Sequence, residues 1–262
     1  DKDGIDIKAL KRKIASLDRT PKFLYVTPNY HNPAGIIYTP ERKKELLEVL
    51  SGTGIILLED DAYSDLYFNE DEKYLTKSMK SFGVKDVDII YTGSFSKILG
   101  PGFRLGYMLS SPEIFEKAET IKQALDACTS NFMQILGNEF LAQHKLESYL
   151  KFLRSEYLER KNLLQESLEK HMPEEVTWNE PKGGFYIWLK LPSHIKSTDI
   201  FKESVTNGVV FVTGRTFDPA SKKDDRLRLS FSNMPKESIE KGVIILAEAV
   251  KKVFKNSKVK SS

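Results

Sequence analysis

The run Asp88-Ile89-Ile90-Tyr91-Thr92 leads through Gly93 into Ser94-Phe95-Ser96-Lys97. A short apolar run bounded by polar residues reads as a buried strand. Lys97 therefore stands just past a strand end, beside two hydroxyls. Arg104 follows seven residues later in Gly100-Pro101-Gly102-Phe103-Arg104-Leu105-Gly106. Such a setting suits an amine nucleophile next to a phosphate, because serine hydroxyls and an arginine fork can hold phosphate oxygens.

Two upstream runs repeat the pattern. Gly54-Ile55-Ile56-Leu57-Leu58-Glu59 ends in Asp60-Asp61-Ala62-Tyr63, and Phe23-Leu24-Tyr25-Val26-Thr27 ends in Pro28-Asn29-Tyr30-His31-Asn32-Pro33-Ala34-Gly35. In a parallel α/β sheet, ligands bind at the carboxyl ends of the strands. Taken singly, Ser-x-x-Lys is most often a solvated loop, Asn-Pro-Ala-Gly an ordinary turn, and Asp60-Asp61 a solvated acidic loop. All three in order, each at a strand end, are not ordinary. A cofactor with both an aldehyde and a phosphate fits, and pyridoxal phosphate has both; Lys97 would hold it as a Schiff base. A carboxylate against the pyridine nitrogen keeps that nitrogen protonated and makes the ring an electron sink. A phenol and an amide donating to the ring hydroxyl stabilise its ionised form. Asp60, Tyr63 and Asn32 supply those groups.

The segments Asn32-Pro33-Ala34-Gly35, Asp60-Asp61-Ala62-Tyr63, Ser94-Phe95-Ser96-Lys97 and Gly102-Phe103-Arg104-Leu105-Gly106 resemble those of class I/II aminotransferases of the aspartate-aminotransferase fold, fold type I. The form Glu59-Asp60-Asp61-Ala62-Tyr63 is most similar to the branch containing 2-aminoadipate and aromatic aminotransferases. This resemblance implies that Lys97 is the Schiff-base lysine and Asp60 the partner of the pyridine nitrogen. Tyr63 and Asn32 would face the ring hydroxyl, and Ser94, Ser96 and Arg104 would hold the phosphate. Asp61 competes for the pyridine role, but the family places its tyrosine three residues after the functional aspartate, which selects Asp60. Arg226-Leu227-Arg228-Leu229-Ser230-Phe231 alternates like a half-buried strand, with Arg226 and Arg228 on one face. The family's Arg-Leu-x-Phe pattern assigns the substrate α-carboxylate to Arg228, with Asn32 also at the substrate. Pro181-Lys182-Gly183-Gly184-Phe185-Tyr186-Ile187-Trp188 resembles the family's entry into a small-domain strand. Its glycines suit either close backbone approach to a ligand or a bend at a strand start.

The 262 residues are 40% hydrophobic and 29% charged, with a net charge of +3. They suit one large core or two modest ones. So small a charge points to neither nucleic acid nor a membrane surface, and Lys251, Lys252, Lys255, Lys258 and Lys260 read as a solvated helix end and tail. The lone Cys128 excludes an internal disulfide, and four scattered histidines give no metal constellation. No apolar run reaches membrane length, so a cytoplasmic protein is expected.

An α/β fold follows: an incomplete large domain with a mostly parallel sheet over residues 1–145, then a bridging helix and a smaller C-terminal α/β domain over 146–262. Strands are expected at Phe23–Thr27, Gly54–Glu59, Asp88–Thr92, Arg104–Leu109, Gly184–Leu189, Val209–Val212 and Arg228–Phe231. A long helix is expected over Tyr149–His171, and Ile239, Val243, Leu246, Val250 and Val253 mark a last amphipathic helix. The resemblance begins inside the family's large domain. A preceding segment with a glycine-containing phosphate loop and a ring-stacking aromatic is therefore expected in the complete protein, and this stretch alone is expected to be catalytically silent. The activity implied is transamination between an amino acid and a 2-oxo acid, in a homodimer. Two alternatives are the aminotransferase-like ligand-sensing domain of a GntR-type transcription regulator and a carbon–sulfur lyase of the same fold. The lyase branch tends to carry Asp-Glu-x-His where this chain has Asp-Asp-Ala-Tyr.

Overall fold

Helix α1 (Ile7–Ala15) starts where the Asp6 carboxylate accepts the Ala9 amide hydrogen at 2.9 Å, the N-cap arrangement that satisfies a free helical N–H. The computed structural model describes residues 1–220 and 222–259, so Lys260 lies outside the described residues. After β1 (Phe23–Val26), helix α2 (Pro40–Leu50) is capped by Thr39, whose hydroxyl accepts from the Arg42 amide at 3.2 Å. Pro40 occupies its first turn, where a missing N–H costs nothing. Leu46, Leu47 and Leu50 on its inner face are fully buried, as their spacing requires.

Strands β2 (Ile56–Asp61), β3 (Ile89–Ser94) and β4 (Gly106–Leu109) complete a sheet of order β1-β2-β3-β4. The first three strands are parallel and β4 is antiparallel. The register sets Val26 beside Glu59, Asp60 beside Thr92 and Asp61 beside Gly93, so the three parallel strands end together. Leu57, Ile89 and Val26 share a core with the three leucines of α2. The edge strands carry exposed apolar side chains, Phe23 and Tyr25 on β1 and Tyr107 and Leu109 on β4. Helices α3 (Pro112–Asp126) and α4 (Asn131–Ala142) are also open, and Gly137 is their one buried residue among those described.

Helix α5 (Leu146–His171) carries the chain across the division between two compact units. One unit comprises Asp1–His31 and Ile36–Leu153; the other comprises Asn32–Gly35 and Arg154 onward. The second unit holds β5 (Thr177–Trp178), β6 (Tyr186–Lys190), α6 (Ser197–Val205), β7 (Val212–Thr213), β8 (Arg226–Ser230) and α7 (Lys236–Val259). Its sheet has the order β5-β6-β8-β7 and is antiparallel throughout. Ile239, Val243, Leu246 and Val250 of α7 are buried. Together these elements form the expected α/β fold with a mainly parallel first sheet.

Several strand bounds differ from the sequence reading, for local reasons. Strand β4 starts at Gly106 rather than Arg104, because Arg104 has φ 52° after a 3₁₀ turn over Pro101–Phe103. Strand β6 starts at Tyr186 because Gly184 bends the chain at φ 73°, a conformation open mainly to glycine. Strand β7 is only two residues long and begins at Val212. The Val209 amide is engaged by the Ser204 carbonyl at the end of α6. Strands β2 and β3 run past the expected ends, so Asp60, Asp61 and Ser94 are strand residues. Among the described residues no helix is long and apolar enough to cross a membrane, and no cluster of His, Cys, Asp and Glu could hold a metal.

Candidate active site

Alternation along β2 sends neighbouring aspartates to opposite faces. Asp61 is buried with Leu57 and Glu59, while Asp60 is half-buried on the other side. Both oxygens of Asp61 are engaged, by Asn29 Nδ2 at 2.8 Å and by the Tyr91 hydroxyl at 2.8 Å. Burial, then the Asp61 charge, push the Tyr91 phenol far above its usual range, so it stays a donor. Asn29 Oδ1 accepts from Lys43 Nζ at 2.8 Å, and Nζ also donates to the carbonyls of Leu75 (2.6 Å) and Lys77 (2.8 Å). Lys43 is fully buried, and that burial lowers its pKa to about 8 against the opposing pull of Glu59 and Asp61. Glu59 is equally buried. Desolvation raises its pKa, although the Met79 amide (2.9 Å) and Ser78 hydroxyl (2.8 Å) donate to it. Asp60 is held differently. Its Oδ2 accepts from the Tyr25 hydroxyl at 2.5 Å, and Thr27 Oγ1 donates to that same hydroxyl at 3.3 Å. Its Oδ1 receives no hydrogen bond among the described residues.

Strand β3 ends at Ser94, whose hydroxyl accepts from the Ser96 amide at 3.2 Å and starts a 3₁₀ turn over Phe95–Lys97. Buried Ile98 anchors the turn, and the Phe95 ring lies 5.8 Å from that of Tyr107. Lys97 Nζ is 5.8 Å from the ring centroid of buried Tyr63 and, among the described residues, makes no hydrogen bond or ion pair. The Phe95 amide donates to the Leu105 carbonyl at 3.0 Å, which folds the Arg104 loop back along the Ser94–Lys97 turn. Arg104 is exposed, and its positive φ of 52° is uncommon for a residue with a side chain. No hydrogen bond or ion pair engages its guanidinium among the described residues.

The second unit contains Asn32 and Arg228. Arg226 and Arg228 share one face of β8 while Leu227 and Leu229 are buried on the other, as the alternation implied. Arg228 donates to Asn32 Oδ1 at 2.6 Å. Its guanidinium carbon lies 4.1 Å from the Tyr186 ring centroid and 5.1 Å from that of Phe217. Two aromatic faces thus fix the plane of the guanidinium. Its Nε is buried and has no hydrogen-bond partner among the described residues. The Asn32 loop is seated by Asn179, which donates to the Ala34 carbonyl (2.9 Å) and accepts from the Trp188 amide (2.7 Å). Gly35 has φ 62°, and a Cβ there would lie 2.7 Å from Asn179 Nδ2. Only glycine fits at that point.

Asp60, Tyr63, Ser94, Ser96, Lys97 and Arg104 therefore belong to the first unit, around the ends of β2 and β3, and Asn32 and Arg228 to the second. Sequence reasoning missed Tyr25, the Lys43–Asn29–Asp61–Tyr91 network, and the aromatic clamp on Arg228. A signal existed for two of them. Tyr25 precedes Thr27 by two in a strand, which puts both on one face. Lys43 precedes Leu46, Leu47 and Leu50 by three, four and seven, on the inner stripe of α2.

The family model described as Aminotransferase class I and II matches residues 1–246. Aromatic-amino-acid aminotransferase 1 of Thermococcus litoralis is 32% identical over 258 residues, covering 97% of this chain and 61% of that protein. The crystal structure of LysN, the α-aminoadipate aminotransferase of Thermus thermophilus complexed with N-(5′-phosphopyridoxyl)-L-leucine, superposes with a TM-score of 0.88. It is 32% identical, over 97% of this chain and 64% of that one. An uncharacterized HTH-type transcriptional regulator of Bacillus subtilis, YdfD, is 30% identical over 236 residues, covering 90% of this chain and 48% of that protein. The chain thus spans less than two thirds of the length of these relatives. With the family model matching residues 1–246 and the fold shared with solved aminotransferases, the chain belongs to the class I and II aminotransferase family.

Proposed function

We propose that the full-length protein transfers an amino group from an amino acid to a 2-oxo acid, with pyridoxal 5′-phosphate as cofactor. The observation that carries this reading is a set of groups around the ends of β2 and β3 that no hydrogen bond or ion pair engages among the described residues: the Lys97 amine, Asp60 Oδ1 and the Arg104 guanidinium. An amine, an acidic acceptor and a cation match the aldehyde, ring nitrogen and phosphate of that cofactor, so these residues fit it. When bound, the cofactor supplies an aldehyde that takes up amino groups and a protonated ring that accepts electrons from the substrate α-carbon.

Asp60 holds the ring nitrogen rather than Asp61, since both Asp61 oxygens are already bonded. Tyr63 and Asn32 donate to the ring hydroxyl, and Ser94, Ser96 and Arg104 bind phosphate oxygens. Lys97 would hold the aldehyde, and its amine, when free, would serve as base and then acid for the proton on the substrate α-carbon. Arg228 binds the substrate carboxylate, with Asn32 beside it. Its orphaned buried Nε supports this role, because a buried donor is costly until it is paired. Residues 1–145 then serve as part of the cofactor-binding domain and residues 146–262 as bridging helix and small domain. A homodimer of the full-length protein is proposed from the family resemblance. The cytoplasm is its proposed location.

Replacing Arg228 with Leu removes a charge-assisted pair, a contact worth about 1.5–3 kcal/mol. The full-length variant should show a KM for amino acids raised about ten- to hundredfold, the equivalent of that loss. Amines lacking a carboxylate should be little affected. Equal losses for both substrate types would remove Arg228 from carboxylate binding.

The activity test is the full-length protein with cofactor and a panel of amino acids and 2-oxo acids, followed by mass detection of the paired products. Turnover with at least one pair is expected. The regulator similarity favours one second reading, a ligand-sensing domain behind a DNA-binding segment. Cofactor binding with no turnover on any pair, together with sequence-specific DNA binding by the full-length protein, would establish that reading instead.

A further inference from the structure

We propose that Tyr25 is a positioning residue for Asp60: its phenol ties down Oδ2 so that Oδ1 is presented to the pyridine nitrogen of the cofactor. This rests on the transamination reading above. The hydrogen bonds run in one direction, from Thr27 Oγ1 to Tyr25 Oη (3.3 Å) and from Tyr25 Oη to Asp60 Oδ2 (2.5 Å). A donor behind a donor polarises the second bond and strengthens it, and an O–H bonded to an ionised carboxylate is short for that reason. The strand register explains the reach. Tyr25 pairs with Leu58, and Asp60 lies two residues further along β2 on the same face. Burial, then the bond to Asp60, raise the Tyr25 phenol above its usual range, so it stays protonated.

The neighbouring aspartate offers an internal comparison. Asp61 also takes one tyrosine phenol, from Tyr91, but its other oxygen is closed by Asn29. Among the described residues, Asp60 alone of the two keeps an oxygen without a protein donor. The Tyr25 hydroxyl acts directly on the Asp60 carboxylate. The terminal torsion of an aspartate is broad, and a bonded oxygen fixes it. An acceptor held against the ring nitrogen keeps the shared proton on that nitrogen.

The test compares full-length wild type, Tyr25→Phe and Tyr91→Phe, each loaded with pyridoxal phosphate labelled with ¹⁵N in the ring. In Tyr25→Phe the ¹⁵N resonance should move toward the unprotonated position. Cofactor Kd should rise about tenfold, the lower range for losing a bond to a charged group. Turnover should fall with the KM for the amino donor little changed. Tyr91→Phe, which alters Asp61, should leave the ¹⁵N resonance in place. An unmoved resonance in Tyr25→Phe overturns the inference, whatever happens to Kd, and so does an equal movement in Tyr91→Phe. A wild type that binds no cofactor would instead refute the transamination reading itself.

Discussion

Full-length protein carrying Lys97→Ala is expected to lose about a hundred- to ten-thousandfold in turnover, the range for a positioned acid–base group. Lys97 is asked to hold the cofactor and to move the proton, and among the described residues no other lysine stands within this strand-end cluster. The loss should be chemical rather than structural. The amine makes no hydrogen bond or ion pair among the described residues, so truncation breaks no internal contact beyond its approach to Tyr63. Steady-state turnover and thermal denaturation of the same preparation separate the two. Added primary amines such as ethylamine should restore part of the rate, since they replace a proton carrier. Turnover within tenfold of wild type would exclude Lys97 from the chemistry.

Lys43→Met should give the largest stability loss, about 3–5 kcal/mol, as expected when one partner of a buried charge network is removed. Asn29 Oδ1 and the carbonyls of Leu75 and Lys77 would lose their donor. Buried Glu59 and Asp61 would lose the cation that faces them. The effect also has a signed pH dependence. Folding lowers the Lys43 pKa from 10.5 to about 8, so between those values the unfolded chain holds the extra proton. Wild type therefore gains stability relative to Lys43→Met as pH rises through that window, at up to about 1.4 kcal/mol per pH unit. Below pH 8 the difference should be flat. Urea denaturation of both proteins between pH 7 and about pH 10 measures it, and a difference that stays flat or shrinks above pH 8 would mean the folded pKa is not depressed.

What the sequence could and could not convey follows from how far each signal reaches. Periodicity is local, and it placed Ile239, Val243, Leu246 and Val250 inward on α7 and separated Arg228 from Leu227 and Leu229. Strand ends were legible as apolar runs meeting polar clusters, which brought Asp60, Ser94 and Lys97 to the sheet's carboxyl edge. The bounds slipped where backbone conformation intervened, at Arg104, at Gly184, and at Val209 where a helix end took the amide. The family's spacing selects Asp60 and the alternation of β2 puts Asp61 on the other face, but the engagement of Asp61 needs Asn29 and Tyr91, which lie 32 and 30 residues away. Lys43 sits among Arg42, Lys43 and Lys44, where composition alone suggests solvent. Its burial depends on three acceptors from distant segments. The clamp of Tyr186 and Phe217 on Arg228 is likewise a product of tertiary contact between β6, β8 and the turn after β7.

The central claim is that Lys97 holds pyridoxal phosphate. Borohydride reduction of the full-length protein loaded with the cofactor converts the lysine that holds it into a stable secondary amine, and peptide mass mapping then locates the label. The account predicts one pyridoxyl-phosphate adduct per chain, on the peptide containing Ser94-Phe95-Ser96-Lys97, and its absence from Lys97→Ala. An adduct on another lysine, or scattered labelling with Lys97 unmodified, would contradict it.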